Sequence, residues 1–315
     1  MKIIKKLLPI LILTFFFQSC NNDDDNAVVL QTNTIVDVAI NNNLTILATA
    51  VTRAGLATTL SEEGNYTVFA PTNAAFNKFL ESDTRWTTIN DVPVETLKSV
   101  LLFHTLNAKV MSGSLTNTYV NTLSTGPNAE PLSLKVQVTG GVQFNGDAEA
   151  TPVTVDVEAS NGIVHVINKV MMPPSVVTLA LSNNNFTSLV AALTRADLTT
   201  DFLNVLSQPG PYTIFAPTND AFNKLLASNT AWTTLADIPA ETLEAVLLYH
   251  VISGGNVQAD QLFNGPVATL GGKITIDITN GAQIVTSSDQ TVTIALTDVQ
   301  GTNGVIHVIN TVLLP

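Results

Sequence analysis

The feature that most constrains this chain is a passage that it carries twice. GNYTVFAPTNAAFNKFL at 64–80 returns as GPYTIFAPTNDAFNKLL at 210–226. Tyr66 aligns with Tyr212, Trp86 with Trp232 and His104 with His250, all at an offset of 146. Further along, NGIVHVINKVMMP (161–173) matches NGVIHVINTVLLP (303–315) at an offset of 142, and Arg53 and Arg195 also lie 142 apart. The second copy therefore gains four residues before its Tyr-Thr-Ile-Phe strand and loses four later, where loops are expected. Solenoid units run to about 20–50 residues. A period this long marks a duplicated domain. The joint falls at MMPPSVV, where Pro173-Pro174 predicts a short, semi-rigid link.

Each copy predicts helices first and strands later, an α+β domain rather than alternating βαβ units. In the first copy Leu44, Leu47, Ala48 and Val51 fall at helical spacing, as do Phe76, Phe79 and Leu80. Pro93 opens a stretch in which Leu97, Val100, Leu101 and His104 share a face, and proline suits a first helical turn. Leu132, Leu134, Val136 and Val138 then alternate with polar residues, and Gly140-Gly141 turns the chain toward Val142 and Phe144. In the second copy Ile274, Ile276 and Ile278 alternate before an Asn280-Gly281 turn.

The repeated passage reads as a strand-to-helix corner. Tyr66–Phe69 is apolar, and Pro71 stops the pairing because it lacks an N–H. Thr72 or Asn73, and in the second copy Thr218 or Asn219, offers a side-chain oxygen to the free N–H groups of the next helix. Phe76 and Phe79 pin that helix to the sheet, and Asp220 suits the dipole at the helix start.

Of the 315 residues, 45% are apolar and 12% charged, enough to bury a core. Three of the 13 basic residues precede Cys20 and no acid does, which leaves ten bases against 25 acids in the rest of the chain. That balance disfavours nucleic acid and anionic lipid, which need cationic patches.

Residues 1–20 read as an address. MKIIKK is cationic, and LLPILILTFFF is apolar but too short to span a bilayer. FQSC ends on Cys20, the single cysteine, and resembles a bacterial lipoprotein signal, although Phe17 sits where leucine is commonest. The resemblance implies lipidation at Cys20 and a membrane anchor. An ordinary cleaved signal is the competing reading. NNDDDN, within 21–31, reads as a solvated tether, and it resembles the acidic surface-export signals of some Gram-negative lipoproteins. The expected location is the outer membrane, facing outward.

YTVFAPTNAAF and YTIFAPTNDAF, followed about 95 residues later by NGIVHVIN or NGVIHVIN, resemble the two signature boxes of the fasciclin-like domain. Both boxes occur in both copies, so the resemblance implies tandem domains over 32–173 and 174–315. It implies a seven-stranded β-wedge with helices packed along it. It further implies surface adhesion to a matrix protein, glycan or cell, without catalysis or a cofactor. A glycan-binding lipoprotein serving carbohydrate capture is the alternative. Exposed aromatics would favour it, but only 6% of residues are aromatic.

Candidate chemistry is sparse. His104, His165, His250 and His307 fall two per copy at matching places. A metal centre needs three or four convergent ligands, and no His-x-x-x-His or Cys-x-x-Cys spacing exists. Each histidine reads as a buried neutral ring bonded to backbone, the competing reading being a metal or acid–base pair. Trp86 and Trp232 read as turn anchors, with sugar stacking as the second possibility. In animal matrix members of the family, an Asp-Ile pair before the second box and a Tyr-His pair ending the long helix are implicated in integrin contact. The matching positions are Asp298-Val299 and Tyr249-His250, with Asp156-Val157 and Phe103-His104 in the first copy. Valine replaces isoleucine in both copies, and Phe103 lacks the tyrosine hydroxyl. Val153, Val155 and Val157 share one face, which leaves Asp156 on the other. Val292, Ile294 and Leu296 share parity with Asp298, so that strand must end or bulge before it. Asp298 is then either a turn cap or a contact. If adhesion runs through this edge, the second domain should dominate, because it keeps both pairs.

Overall fold

The computed structural model describes residues 33–147, 150–279 and 281–315. Cys20, the signal and the acidic tether lie outside the described residues, as does Asn280 of the expected turn.

The protein is α+β, with seven strands in each copy among the described residues. In the first, Tyr66–Pro71 pairs antiparallel with Thr105–Leu106 on one side and parallel with Gly162–Ile167 on the other. Pro152–Ala159 closes that sheet, antiparallel to Gly162–Ile167. Thr118–Thr125, Pro131–Gln137 and Gln143–Phe144 form a second sheet. In the second copy the same strands run as one seven-stranded sheet. Its Thr291–Gly301 strand is long enough to pair with Gln283–Val285 at one end and Gly304–Ile309 at the other.

The two boxes of each copy are thus neighbouring strands. Tyr66 lies opposite Gly162 and Pro71 opposite Ile167, with Tyr212–Pro217 and Gly304–Ile309 in the same register. Glycine is needed where the pairing begins. A Cβ at Gly162 or Gly304 would run into the backbone carbonyl of Tyr66 or Tyr212. Both strands are buried on both faces, which explains their near-continuous apolar runs. Val68, Ala70, Val164 and Val166 meet the helices, including Leu47, Phe76, Leu97 and Leu101. Phe69 and Ile167 point the other way, into a core with Phe103, Leu132, Leu134 and Phe144. The second copy repeats both layers around Ile214 and Phe215.

Several expectations change in detail. The long helices run Val94–Phe103 and Ala240–Tyr249, so Pro93 and Pro239 are the cap residues just outside the first turn. Ile278 is exposed because its strand ends at Asp277. Val153 and Val155 are also exposed, and do not share a buried face with Val157. Register shifts between Pro152 and Val157 break the alternation, and this strand lies at a sheet edge.

The first copy carries one longer hairpin. In both copies an asparagine carbonyl oxygen accepts from the N–H at the hairpin's far end: Asn117 from Val138, and Asn264 from Ile278. These anchors are 21 residues apart in the first copy and 14 in the second. The added length forms the turn at Pro127–Ala129, which docks on the second copy. The Pro127 carbonyl accepts from Asn256, and Asn128 donates to the Asn256 carbonyl, both at 3.4 Å. The Gln300 N–H donates to Ser133 Oγ at 2.9 Å. Gln300 is itself buried. Its amide oxygen accepts from Asn256 and Gln258, and its Nε2 donates to Asn256 Oδ1 and to the Gly301 and Gly304 carbonyls. Gly126 has no side chain because a Cβ would press on the Gly301 carbonyl. The hairpin turn is therefore a latch between domains. Replacing Gly126–Glu130 with the second copy's Leu270-Gly271 turn is expected to leave both domains folded but to split one calorimetric unfolding transition into two. A single transition at an unchanged temperature would show that the latch couples nothing.

Candidate functional site

The corner after the first box divides its work between two residues. Thr72 and Thr218 cap their helices, accepting from the Ala75 and Ala221 N–H groups. Asn73 and Asn219 instead reach back to the start of an earlier helix, Thr45–Arg53 and Thr187–Leu193 respectively. Asn73 Oδ1 accepts from the Ile46 N–H at 3.0 Å, and Asn219 Oδ1 from the Ser188 N–H at 2.9 Å. Their Nδ2 groups donate to the Asn43 and Asn184 carbonyls.

The second box is organised by its asparagine, a role that the sequence reading did not assign. Asn161 Oδ1 accepts from the Ile35 N–H at 3.0 Å, and its Nδ2 donates to the Leu60 and Glu62 carbonyls. Asn303 does the same for Val176, Leu206 and Gln208. One side chain thus ties the first helix, the loop before the central strand and the last strand together. Its identity in both copies, beside an obligatory glycine, was the available signal.

Trp86 is half-buried against the core, 5.2 Å from the Phe79 ring, and Trp232 packs on the corresponding cluster. The following Thr-Thr pair serves the aspartate that ends the short loop, four residues on. Asp91 Oδ2 accepts from the hydroxyls and N–H groups of Thr87 and Thr88, and Asp237 repeats this with Thr233 and Thr234. These bonds, led by the Thr87 and Thr233 hydroxyls, lower both carboxyls to about 2.

All four histidines are buried, and both nitrogens of each ring have backbone partners. His104 Nδ1–H donates to the Val100 carbonyl at 2.7 Å, and its Nε2 accepts from the Met171 N–H at 2.9 Å. His250 repeats this with Val246 and Leu313. His165 and His307 are the opposite tautomer. Their Nε2–H groups donate to the Val110 and Val257 carbonyls, and their Nδ1 atoms accept from the N–H groups of Asp156 and Asp298. The rings stack on Phe69 and Phe215, with centroids 5.7 Å apart. Among the described residues no three His, Cys, Asp or Glu side chains converge on a metal position.

The aspartates sit on bulges. Asp156 and Asp298 have φ of 57° and 62°, the left-handed region that aspartate tolerates better than most residues. Asp298 Oδ1 accepts from the Ala259 N–H at 2.8 Å. Asp156 accepts from the Ser112 N–H and hydroxyl, and these bonds, the hydroxyl's first, hold its carboxyl low. Each carboxylate fastens a short 3₁₀ turn to the sheet and remains partly exposed, 27% for Asp156 and 38% for Asp298. The rest of the candidate contact set presents little area. Tyr249, His250 and Val299 are buried, and the Tyr249 hydroxyl donates to the Lys273 carbonyl and accepts from the Ser287 N–H. Val157 is half-buried beside Asp156.

The turn cap is testable by itself. Asp298→Ala is expected to cost about 1–3 kcal/mol in urea unfolding, because the Ala259 N–H loses its acceptor. Asp298→Asn keeps an acceptor and the left-handed backbone, and is expected to cost less than about 1 kcal/mol. Equal losses would show that the carboxylate is not acting as this cap.

The family model described as Fasciclin domain matches the chain at residues 42–173 and again at 184–315. The chain belongs to the fasciclin domain family. Each matched stretch holds both boxes, and hence the parallel strand pair, its asparagine and its two histidines. The uncharacterized protein sll1735 of Synechocystis sp. is 39% identical over 142 residues, which is 45% of this chain and 98% of that protein. Human periostin is 31% identical over 279 residues, covering 84% of this chain but 29% of periostin. Among solved structures, a FAS1 domain pair from the insect cell adhesion molecule Fasciclin I matches with a TM-score of 0.47 and 20% identity, covering 89% of this chain and 95% of that one.

Proposed function

We propose that this tandem fasciclin protein is a non-catalytic adhesion module, held at the outer cell surface by lipid on Cys20 and facing an extracellular protein or glycan. The observation that carries this reading is the double match to the Fasciclin domain model; adhesion is what resemblance to that family implies. The use of the side chains supports it. The histidines, Tyr249 and the bulge aspartates bond to backbone inside their own domain, an arrangement suited to a rigid scaffold. The lone cysteine after a short apolar run supports the anchor. A lipoprotein of this type carries several acyl chains, and stable anchoring takes more than one. No helix among the described residues is long and apolar enough to cross a membrane.

The test compares cells displaying the wild-type chain, Cys20→Ser and Asp298→Asn on surfaces coated with matrix proteins or cell-wall material. Wild-type cells should adhere, and Cys20→Ser should release the protein from the membrane fraction and abolish adhesion. Intact mass should show acyl chains on Cys20. Wild-type cells that bind no better than cells lacking the protein would sink the adhesion reading. An unmodified mature chain would sink the anchor.

A further inference from the structure

The latch between the domains leaves a groove beside it. Its larger lobe has a volume of about 550 Å³, within the range of roughly 300–1,000 Å³ typical of ligand sites, which favour domain interfaces. A smaller lobe of about 240 Å³ shares Thr118, Tyr119 and Leu296 with it, so the two form one elongated depression. Both domains build it. The first supplies Tyr119 and Gln137 from its long hairpin. The second supplies Asn184 and Asn185 from the turn after its first helix, and Leu296 from the bulged strand.

The lining states what could lie there. Gln137, Asn184 and Asn185 make no side-chain hydrogen bond among the described residues, so three amide groups face the larger lobe with donors and acceptors free. Asn183 Nδ2 donates to the Tyr119 hydroxyl at 3.1 Å, and burial pushes that phenol up to about 12, which keeps its proton in place. Among the described residues nothing accepts that proton, which leaves the O–H available as a donor. Among the described residues Lys135 is the only charged one lining the larger lobe, and its ammonium is already held by the Ser182 carbonyl at 2.8 Å. A phosphate or sulfate would call for several cations. The smaller lobe carries Glu130 and Asp298, which oppose any acidic ligand. A bound peptide would need pockets for its alternate side chains. Phe186 and Val136 are buried, which leaves Leu296, 45% exposed, as the main open apolar surface. Paired amide donors and acceptors around one small apolar face match vicinal hydroxyls above a C–H face.

We propose that this interdomain groove binds a neutral oligosaccharide through Gln137, Asn184, Asn185 and the Tyr119 hydroxyl. The proposal rests on reading the chain as a binding module, and it names a ligand class and a place for that reading. The purified full chain is screened on an array of neutral and acidic glycans and on an array of neutral peptides. The strongest neutral glycan is then titrated calorimetrically into the wild type and into the Gln137→Ala, Asn184→Ala, Asn185→Ala triple variant. These side chains make no hydrogen bond among the described residues, so the melting temperature should not move. Affinity should fall about tenfold or more. Conservative replacement of Asn184 and Asn185 by glutamine should restore part of it. The proposal is overturned if no neutral glycan binds, if the triple variant binds it equally well, or if only acidic glycans or peptides bind. Cell adhesion is measured on the same triple variant. Adhesion without glycan binding in the wild type removes the groove and leaves the adhesion module standing; glycan binding without adhesion does the reverse.

Discussion

Acidification from pH 7 to pH 4 is expected to remove about 6 kcal/mol of folding stability, on the order of the whole net stability of many domains. The cause is His104 and His250. Burial pushes each ring from the usual 6.5 down to about 4, against a smaller opposing effect of the Val100 or Val246 carbonyl. In the folded chain Nε2 accepts from a backbone N–H, so a proton there would face another N–H. In the unfolded chain nothing opposes it. Between pH 6.5 and 4 the unfolded state therefore binds more protons, and stability falls as the pH falls. The contribution is complete above pH 6.5, declines through that window and levels off below about 4. Each ring contributes about 3 kcal/mol at 1.36 kcal/mol per unit. Burial lowers His307 as well, which adds loss of the same sign. Asp91 and Asp237, held at about 2, add theirs only below the ordinary carboxylate range. Urea unfolding across this range measures the effect. His250→Ala should cost about 1–3 kcal/mol at pH 7, through the orphaned Leu313 N–H and Val246 carbonyl, and should remove about half of the pH dependence. A urea midpoint that does not move between pH 7 and pH 4 would rule out buried neutral rings. Stoichiometric zinc or copper in protein purified without added metal would do the same.

Asn303→Ala is expected to destabilise the second domain by about 3 kcal/mol or more, well beyond a typical single substitution. Three backbone groups would lose their partner together: the Val176 N–H and the Leu206 and Gln208 carbonyls. Asn303 is 6% exposed, so water has little access to replace them. Asn303→Asp should be no better. It keeps an acceptor for Val176 but turns a carboxylate toward two carbonyls, where an amide had donated. Asn161→Ala should do equivalent damage in the first domain, because its three bonds have the same pattern. Thermal and urea unfolding of the three variants check this. A loss below about 1 kcal/mol for Asn303→Ala would show that the loop before the central strand is held by something else.

The duplication, the α+β class and the strand-to-helix corner were legible in the sequence because each depends on neighbours along the chain. Period, proline position and cap chemistry act over a few residues, and two copies that agree reinforce each other. Family membership was legible for the same reason, since both boxes are short and contiguous. Tertiary structure decided what depends on distant segments meeting. The parallel pairing of Tyr66 with Gly162 crosses nearly the whole domain, and only that pairing explains why glycine follows Asn161. The exposure of Val153 and Val155 follows from a bulge at a sheet edge, where counting by twos fails. Tyr249 and His250 read as a pair in sequence, yet both are buried at a helix end and bond to backbone inside their own domain. The difference in length between the copies was visible as a count. That the extra hairpin residues latch onto Asn256 and sit beside a groove was not, because hydrogen-bond partners and cavities belong to surfaces that exist only after both domains have folded and docked.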